Sequence, residues 1–495
     1  MKRVIGLVLI VWAIAACGIL PSCGKQDPQG GDGDVPGPDI TIPTAARNLE
    51  RAISLTDAAI KNYFNEADGF AMYRYYNPYN KSHQNNEIGS VWMYTSSIEA
   101  VNAILKALDA DKAKGNTALY NANHDRYVQL LDKLIARLEY YSGTFSFTSF
   151  TQTRDWTVYG VNRGKTPGGA SVSGRDNVYD DQQWLIRELL EAWHLTGNGT
   201  YLQKAEYLTE YVLDGWDCSV KDGKERGGIP WGPGYYSKHS CSNGPMVSPL
   251  VWLHEAYSGK SDKTVRRYID LSDGTTRRTE EMTKADYYLS FAKKIYAFQH
   301  DNLMMRDGSK VYADNLNGPD IGADIQYETI DGERYRKPAD LKDFNGPAIS
   351  YNSGTMLSGA ADLYRVTKEG EYLKDLQALD TDSFRAFAKL GQQKDGYYSY
   401  PIDGFNNWFN GVLFRGYVDA YPYDGAAATA IDSFQKNLDY AWDNYLYEGM
   451  LPPSLLVGWN QDRSRNNVEG MFIFAFAVIF YPIIQVSSFK KSHFV

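Results

Sequence analysis

Asn177-Val178-Tyr179-Asp180-Asp181-Gln182-Gln183-Trp184-Leu185-Ile186-Arg187-Glu188-Leu189-Leu190-Glu191-Ala192-Trp193-His194-Leu195 reads as one helix with a marked start and stop. Ile186, Leu189, Leu190 and Trp193 recur at helical spacing and predict one buried face. Gly197 supplies the stop signal. The segment then runs through Thr196-Gly197-Asn198-Gly199-Thr200 into Tyr201-Leu202 and a second helix. Leu363 to Leu373 repeats that plan, with Thr367-Lys368-Glu369-Gly370 as the turn and Tyr372-Leu373 after it. Two such turns predict a chain of helical hairpins.

Outward from this stretch the helical period dominates. Helices are predicted near 45–64, 92–109, 122–141, 180–196, 201–217, 247–258, 283–303, 349–366, 371–391, 407–420, 427–446 and 466–481. Period-two alternation is weak, with parts of 309–335 the exception. Twelve helices in hairpins allow an open solenoid or a ring of six inner and six outer helices. Long Gly- and aromatic-rich connections at 66–91, 142–179, 218–246, 304–348 and 392–406 favour the closed, all-α ring. If they alternate with short turns they gather at one end and form a cleft.

The N-terminus carries different information. Lys2 and Arg3 precede an apolar run, Val4 to Ala16, as in a secretory signal peptide. Ile14-Ala15-Ala16-Cys17 and Leu20-Pro21-Ser22-Cys23 both resemble a bacterial lipobox, and Cys23 is favoured because a polar linker opens directly after it. The expected organisation is a signal peptide at 1–22, a flexible linker at 23–43, a helical domain at 44–486 and an atypical tail at 487–495. A lipid anchor would tie the domain to the outer membrane, surface-exposed or facing the periplasm. The apolar run Met471 to Phe480 is too short to span a bilayer and reads as a last core helix before Pro482.

Charge narrows the partners. The formal net charge of −9 becomes −11 without Lys2 and Arg3, which argues against nucleic acid. The 38 Tyr and 11 Trp suit either a large helical core or a groove that stacks on sugar rings. The seven His are scattered and no His/Cys spacing predicts a metal site. Cys218 and Cys241 could pair in an oxidising compartment, but two Cys make no disulfide framework.

Asp180 and Asp181 have two readings. Acidic residues at a helix start can cap free N–H groups and complement the dipole. They can also be a nucleophile and a general acid side by side. Other segments cluster amide, hydroxyl and aromatic groups just before a helix. These are Gly227-Gly228-Ile229-Pro230-Trp231, Lys238 to Pro245, Tyr351-Asn352-Ser353-Gly354, and Phe405 to Tyr417. Singly each fits a turn or cap; together they suit a polyhydroxylated ligand.

Tyr179-Asp180-Asp181-Gln182-Gln183-Trp184 and those four segments, in that order, resemble glycoside hydrolase family 76, the endo-α-1,6-mannanases. Asn406 to Asn410 matches the family pattern more loosely. The resemblance spans about 90–480 and implies an (α/α)6 barrel, a retaining mechanism and action on the α-1,6-mannan backbone of fungal-type walls. It implies Asp180 as nucleophile and Asp181 as general acid/base. Tyr179, Trp184, Trp231, Lys238, Asn243, Tyr351, Asn352 and Arg415 are the expected substrate-binding residues. No cofactor or metal is expected, and the domain is expected to be a monomer. The rival readings are a transglycosylase on the same scaffold and a non-catalytic glycan-binding surface lipoprotein.

Overall fold

The computed structural model describes residues 42–318, 324–342 and 344–480. The signal region, Cys17, Cys23, nearly all of the linker and the tail at 487–495 lie outside the described residues.

Twelve α-helices are present among the described residues. They are α1 (Ile42–Tyr63), α2 (Val91–Ala113), α3 (Ala118–Arg137), α4 (Tyr179–Thr196), α5 (Gly199–Asp214) and α6 (Val247–Tyr257). The second half adds α7 (Lys284–Leu303), α8 (Ser350–Thr367), α9 (Gly370–Phe387), α10 (Asn406–Ala420), α11 (Ala427–Tyr445) and α12 (Gly470–Phe480). The even-numbered helices form the inner ring. Each packs on the next, α2 on α4, α4 on α6, and so on to α12, which returns to α2. The odd-numbered helices lie outside, each against its hairpin neighbour.

The sequence dictates this sorting. In α9 the buried residues Tyr372, Leu376, Leu379, Asp380, Ser383 and Phe387 follow a single stripe, as an outer helix requires. In α12 every residue is buried, so no face is left for solvent. Glycine permits the tightest inner contact: a Cβ on Gly354 of α8 would lie 2.5 Å from the Val412 carbonyl oxygen of α10, and one on Gly416 would lie 2.6 Å from the Gly354 oxygen. Gly354 in the quoted motif therefore serves packing.

The two repeated turns are alike in detail. Thr196 Oγ1 donates to the Ala192 carbonyl at 2.7 Å and accepts from Asn198 N–H at 3.2 Å. Thr367 Oγ1 does the same with Leu363 at 2.8 Å and Glu369 N–H at 3.1 Å. Gly197 and Lys368 each occupy the left-handed region, at φ 69° and 60°.

Every connection from an outer helix into the next inner one is long, and these connections gather at the N-terminal ends of the inner helices. They carry short strands, expected from the sequence only within 309–335. Ser142–Thr148 pairs with Thr153–Tyr159, and Tyr327–Ile330 with Glu333–Arg336. Lys238–His239, Ala313–Leu316 and Phe344–Ala348 form a three-stranded sheet with Ala313–Leu316 in the centre. A further hairpin, Lys263–Ile269 with Arg277–Thr283, joins α6 to α7 and was not anticipated. Cys218 and Cys241 are unpaired. No helix among the described residues is long and apolar enough to cross a membrane.

Candidate active site at the barrel mouth

Asp180 and Asp181 occupy the first turn of α4, after Val178 as N-cap, whose side chain makes no capping bond. The pair sits where the helix dipole favours an anion, and the Asp180 carboxylate is also held by its own amide. The helix start is held from several sides. Tyr179 N–H donates to the Trp231 carbonyl at 2.8 Å. Gln182 Nε2 donates to the Tyr159 carbonyl at 2.6 Å, and Tyr159 N–H returns a bond to Gln182 Oε1 at 3.2 Å. Gln183 Nε2 donates to the Ser242 carbonyl at 2.6 Å. The two glutamines of the motif thus fix the helix start to the neighbouring loops.

Asp181 is 6% exposed and Asp180 is half-buried. Burial raises the Asp180 carboxyl above its ordinary value, while the Cys241 thiol, His239, its own amide and the Trp231 indole pull it back. Asp181 is pushed well above the ordinary carboxylate range, by burial first and then by the charge on Asp180. Asp180 Oδ1 and Trp231 Nε1 are both buried with no hydrogen bond of good geometry, although the indole lies near enough to favour the carboxylate. A carboxylate oxygen without a well-formed bond in a loop-lined mouth is unusual in a purely structural pair.

Gly227 and Gly228 both take positive φ, 71° and 79°, which turns the chain so that Ile229 to Trp231 pass beside α4. Trp231 is half-buried, with its ring 4.7 Å from Tyr235 and 4.7 Å from His239, the latter stacked. His239 Nδ1 lies 3.7 Å from Asp314 Oδ1, and its Nε2 is 3.1 Å from Ser237 Oγ. Across the mouth Tyr351 leads to Phe409 at 5.5 Å, and Phe409 stacks on Trp92 at 6.0 Å. Phe405 meets Trp92 edge-on at 4.8 Å. Tyr351 is buried; burial first, then the nearby Cys241, Asp180 and Asp181, push its phenol well above the ordinary range. His239, Cys241, Tyr235, Asp314 and Trp92 were not named as site residues from the sequence. His239 and Cys241 lie inside a quoted segment, so position before a helix was the available signal.

Several expected sugar-binding residues are spent elsewhere. Lys238 is 3% exposed and its ammonium is bound to Asp217 at 2.8 Å and to the Gly227 carbonyl. Alternation along the strand turns Lys238 away from the side that His239 faces. Asn243 is buried and serves Ile229 twice, accepting from its N–H at 2.8 Å and donating to its carbonyl at 3.0 Å. Asn352 Nδ2 donates to the Ala313 carbonyl at 3.0 Å. Tyr179 is fully buried against Tyr211. Trp184 sits one turn below the pair, donating from Nε1 to Tyr351 Oη at 2.8 Å. Arg415 lies under Trp184, 5.0 Å from its ring, and pairs with Glu99 at 2.9 Å inside the barrel axis. Of the expected binding set, Trp231 and Tyr351 stand at the mouth. The other six hold the walls together. No group of three or more His, Cys, Asp or Glu able to hold a metal occurs among the described residues.

The sequence profile of glycosyl hydrolase family 76 matches residues 276–444. That segment carries α7 to α11 and ends of the mouth such as Tyr351, but not the aspartate pair. No curated protein matches the sequence. Solved structures match almost the whole chain. A family 76 mannosidase from Bacteroides thetaiotaomicron VPI-5482 is 20% identical, with TM-score 0.65, over 89% of this chain and 100% of that one. An α-1,6-mannanase from Salegentibacter sp. HEL1_6, an inactive variant with two consecutive aspartates replaced and α-1,6-mannotriose bound, is 18% identical at TM-score 0.56. That match covers 89% and 99% of the two chains. A D-mannose isomerase is 12% identical with TM-score 0.55, covering 91% and 99%. The resemblance to family 76 therefore holds in fold over most of the chain and in sequence over 276–444. The isomerase has the same architecture, so chemistry must be argued from the site.

Proposed function

We propose that this chain, a family 76-like (α/α)6 barrel, is a glycoside hydrolase of the mannanase type, acting as a retaining endo-α-1,6-mannanase. One observation carries the reading: two adjacent carboxyls at the barrel mouth, one with an oxygen that has no well-formed hydrogen bond, whose environments push their ionisation apart. Asp180 is the nucleophile. The helix N-terminus and the donors around it favour its carboxylate. Asp181 keeps its proton beside that charge and serves as general acid, then as base toward water. A retaining pathway needs carboxyl groups about 5–5.5 Å apart, within reach of neighbouring side chains that flank one sugar. The α-1,6-mannotriose and α-1,6-mannotetrose bound by inactive variants of the Salegentibacter enzyme support α-1,6-linked mannose as the substrate. Trp231 and the Trp92–Phe409 wall offer ring faces for it.

The test is a pair of substitutions with azide. Asp180→Asn should form no glycosyl-enzyme even from an aryl mannoside with a good leaving group. Asp181→Asn should keep much of that first step, stall at deglycosylation, and be rescued by azide to a mannosyl azide of retained configuration. Rescue of Asp180→Asn with inversion would swap the roles. Full activity in both variants would remove the catalytic reading.

The location is part of the same proposal. A lipid on Cys23 would hold the barrel at the outer membrane, where extracellular polysaccharide arrives. Labelled fatty acid should enter the wild-type chain and be lost in Cys23→Ala. Loss in Cys17→Ala alone would move the anchor, and no dependence on either would make the protein simply secreted.

A further inference from the structure

A second concavity opens beside the mouth, on the flank built by the β-hairpins. It has a volume of about 590 Å³ and is lined by Phe145, Ser146, Arg175, Tyr327 and Arg334 among others. Its walls are tied together. Arg336, at the base of the 327–336 hairpin, is 2% exposed and donates to the Pro233 carbonyl at 2.8 Å and to that of Tyr235. Its N–H donates to the Ser149 carbonyl at 2.8 Å, which joins this hairpin to the tip of the 142–159 hairpin. Gln326 N–H donates to Tyr236 Oη at 2.6 Å. From the third hairpin, Arg277 Nε donates to the Phe150 carbonyl at 3.2 Å, and its guanidinium lies 4.1 Å from the Tyr335 ring. A groove whose walls are pinned by buried side chains costs little to order when a ligand arrives.

The groove is continuous with the mouth. From Trp231 the ring of Tyr235 is 4.7 Å away, and the Arg175 guanidinium lies 5.6 Å from Tyr235. These steps are on the scale of one hexose each. Arg175 already belongs to the groove lining, as do Pro233 and Gly234 of the turn that carries Tyr235. The lining combines an aromatic edge, serine and threonine hydroxyls, and two guanidinium forks. Tyr327 is 38% exposed, a large apolar side chain left at the surface with Arg334 stacked 3.8 Å over its ring. Arg175, Arg334 and Asp324 bring net charge +1 to a protein of net charge −9, so nothing here repels a neutral polymer and no acidic cluster awaits a cation. Ring faces and fixed donors that run on from a sugar-cleaving mouth suit a hydroxyl-rich chain.

We infer that this hairpin-walled groove is a second glycan-binding site, the bed for the stretch of α-1,6-mannan that extends past the residue held at Asp180. The inference rests on the proposed hydrolase reading for the identity of the polymer. It makes the hairpins a length sensor: short oligosaccharides engage only the mouth, and longer chains engage both.

Binding in an Asp180→Asn background tests it without turnover, with linear α-1,6-mannooligosaccharides from tri- to hexasaccharide as probes. Affinity should climb about tenfold over that range. Arg175→Ala with Tyr327→Ala should abolish the climb and leave trisaccharide affinity and melting temperature in place. Ser146→Trp, which fills the groove and removes no contact, should do the same. A length gain that survives all of these changes overturns the groove. So does trisaccharide binding with no length gain in the parent, although hydrolysis of mannan by the wild type would then still stand. If the parent binds no oligosaccharide and the wild type cleaves no mannan, both readings fall together.

Discussion

Asp181 is 6% exposed and faces a second carboxylate, a costly place for an acid. The folded chain holds a proton there more tightly than the unfolded chain does. Stability linked to this group is therefore undiminished below the unfolded value of about 4 and falls as pH rises through the window up to the raised folded value. Asn carries no such penalty. Asp181→Asn should stabilise the protein at pH 7 by about 1–3 kcal/mol, with the gain fading below about pH 4. Denaturant melts at pH 3.5 and 7 measure it. A helix-dipole role would instead make Asn a loss of about 0.3–1 kcal/mol at pH 7. The same ionisation order means that kcat/KM should rise with pH as Asp180 loses its proton and fall as Asp181 loses its own. Both limbs belong to the coupled pair. At this scale the adjacency of the two carboxyls is plain in the sequence, and the helix start places both in the first turn of α4. The sequence was opaque for the amides, since Asn243 and Asn352 are the right types for sugar but are consumed by buried backbone groups of Ile229 and Ala313. Lys238 failed for the same reason, its charge taken up by Asp217.

Among the elements, all twelve helices were readable, the outer ones because a repeating 3.6-residue stripe survives in sequence without knowledge of the partner, and α12 as an apolar run too short to span a bilayer. The hairpins outside 309–335 were not. Along Lys263–Ile269 and Arg277–Thr283 nearly every side chain is exposed or half-exposed, so no buried face imprints a period of two. Their pairing is decided by contacts far away in the chain, such as Arg277 with Phe150 and Tyr335. The repeated interhelical turn was legible as a pattern, and its geometry yields a prediction. Gly197 and Lys368 occupy equivalent left-handed positions closed by the same threonine bonds, but only one is glycine. A side chain in that conformation costs about 1 kcal/mol or more. Lys368→Gly should therefore raise stability by roughly that amount, and Gly197→Ala should lower it similarly, with turnover unchanged in both. Equal and opposite shifts in the denaturation midpoint would be the signature. A loss in Lys368→Gly would mean that the lysine makes a contact worth more than the backbone strain.

For the whole molecule, closure of the ring falls to α12. It packs between α10 and α2 with α1 behind it, and the strand leading into it, Val468–Glu469, pairs with Tyr75–Tyr76. Glu469 accepts from Arg74 at 3.0 Å and from Tyr75 Oη at 3.0 Å. Tyr63 Oη donates to the Val468 carbonyl at 3.0 Å. The last described helix is thereby sewn to the first long loop, which is how a linear run of hairpins becomes a barrel with a floor, a rim and one mouth. Phe474 is fully buried in α12 and meets Phe64 edge-on at 6.3 Å across that seam. Phe474→Ala should cost about 3–5 kcal/mol, the range for a large side chain removed from a core that cannot collapse around the gap. Phe405→Ala, a half-buried rim residue, should cost much less stability and act on substrate affinity instead. An open solenoid would behave differently: its last helix could fray alone, and Phe474→Ala would produce a separate low-temperature transition that leaves the rest of the melt in place. A single cooperative transition shifted as a whole is the outcome expected of a closed ring, because losing α12 uncovers the inner faces of α2 and α10 together, and with them the wall of the mouth that carries Trp92 and Phe409.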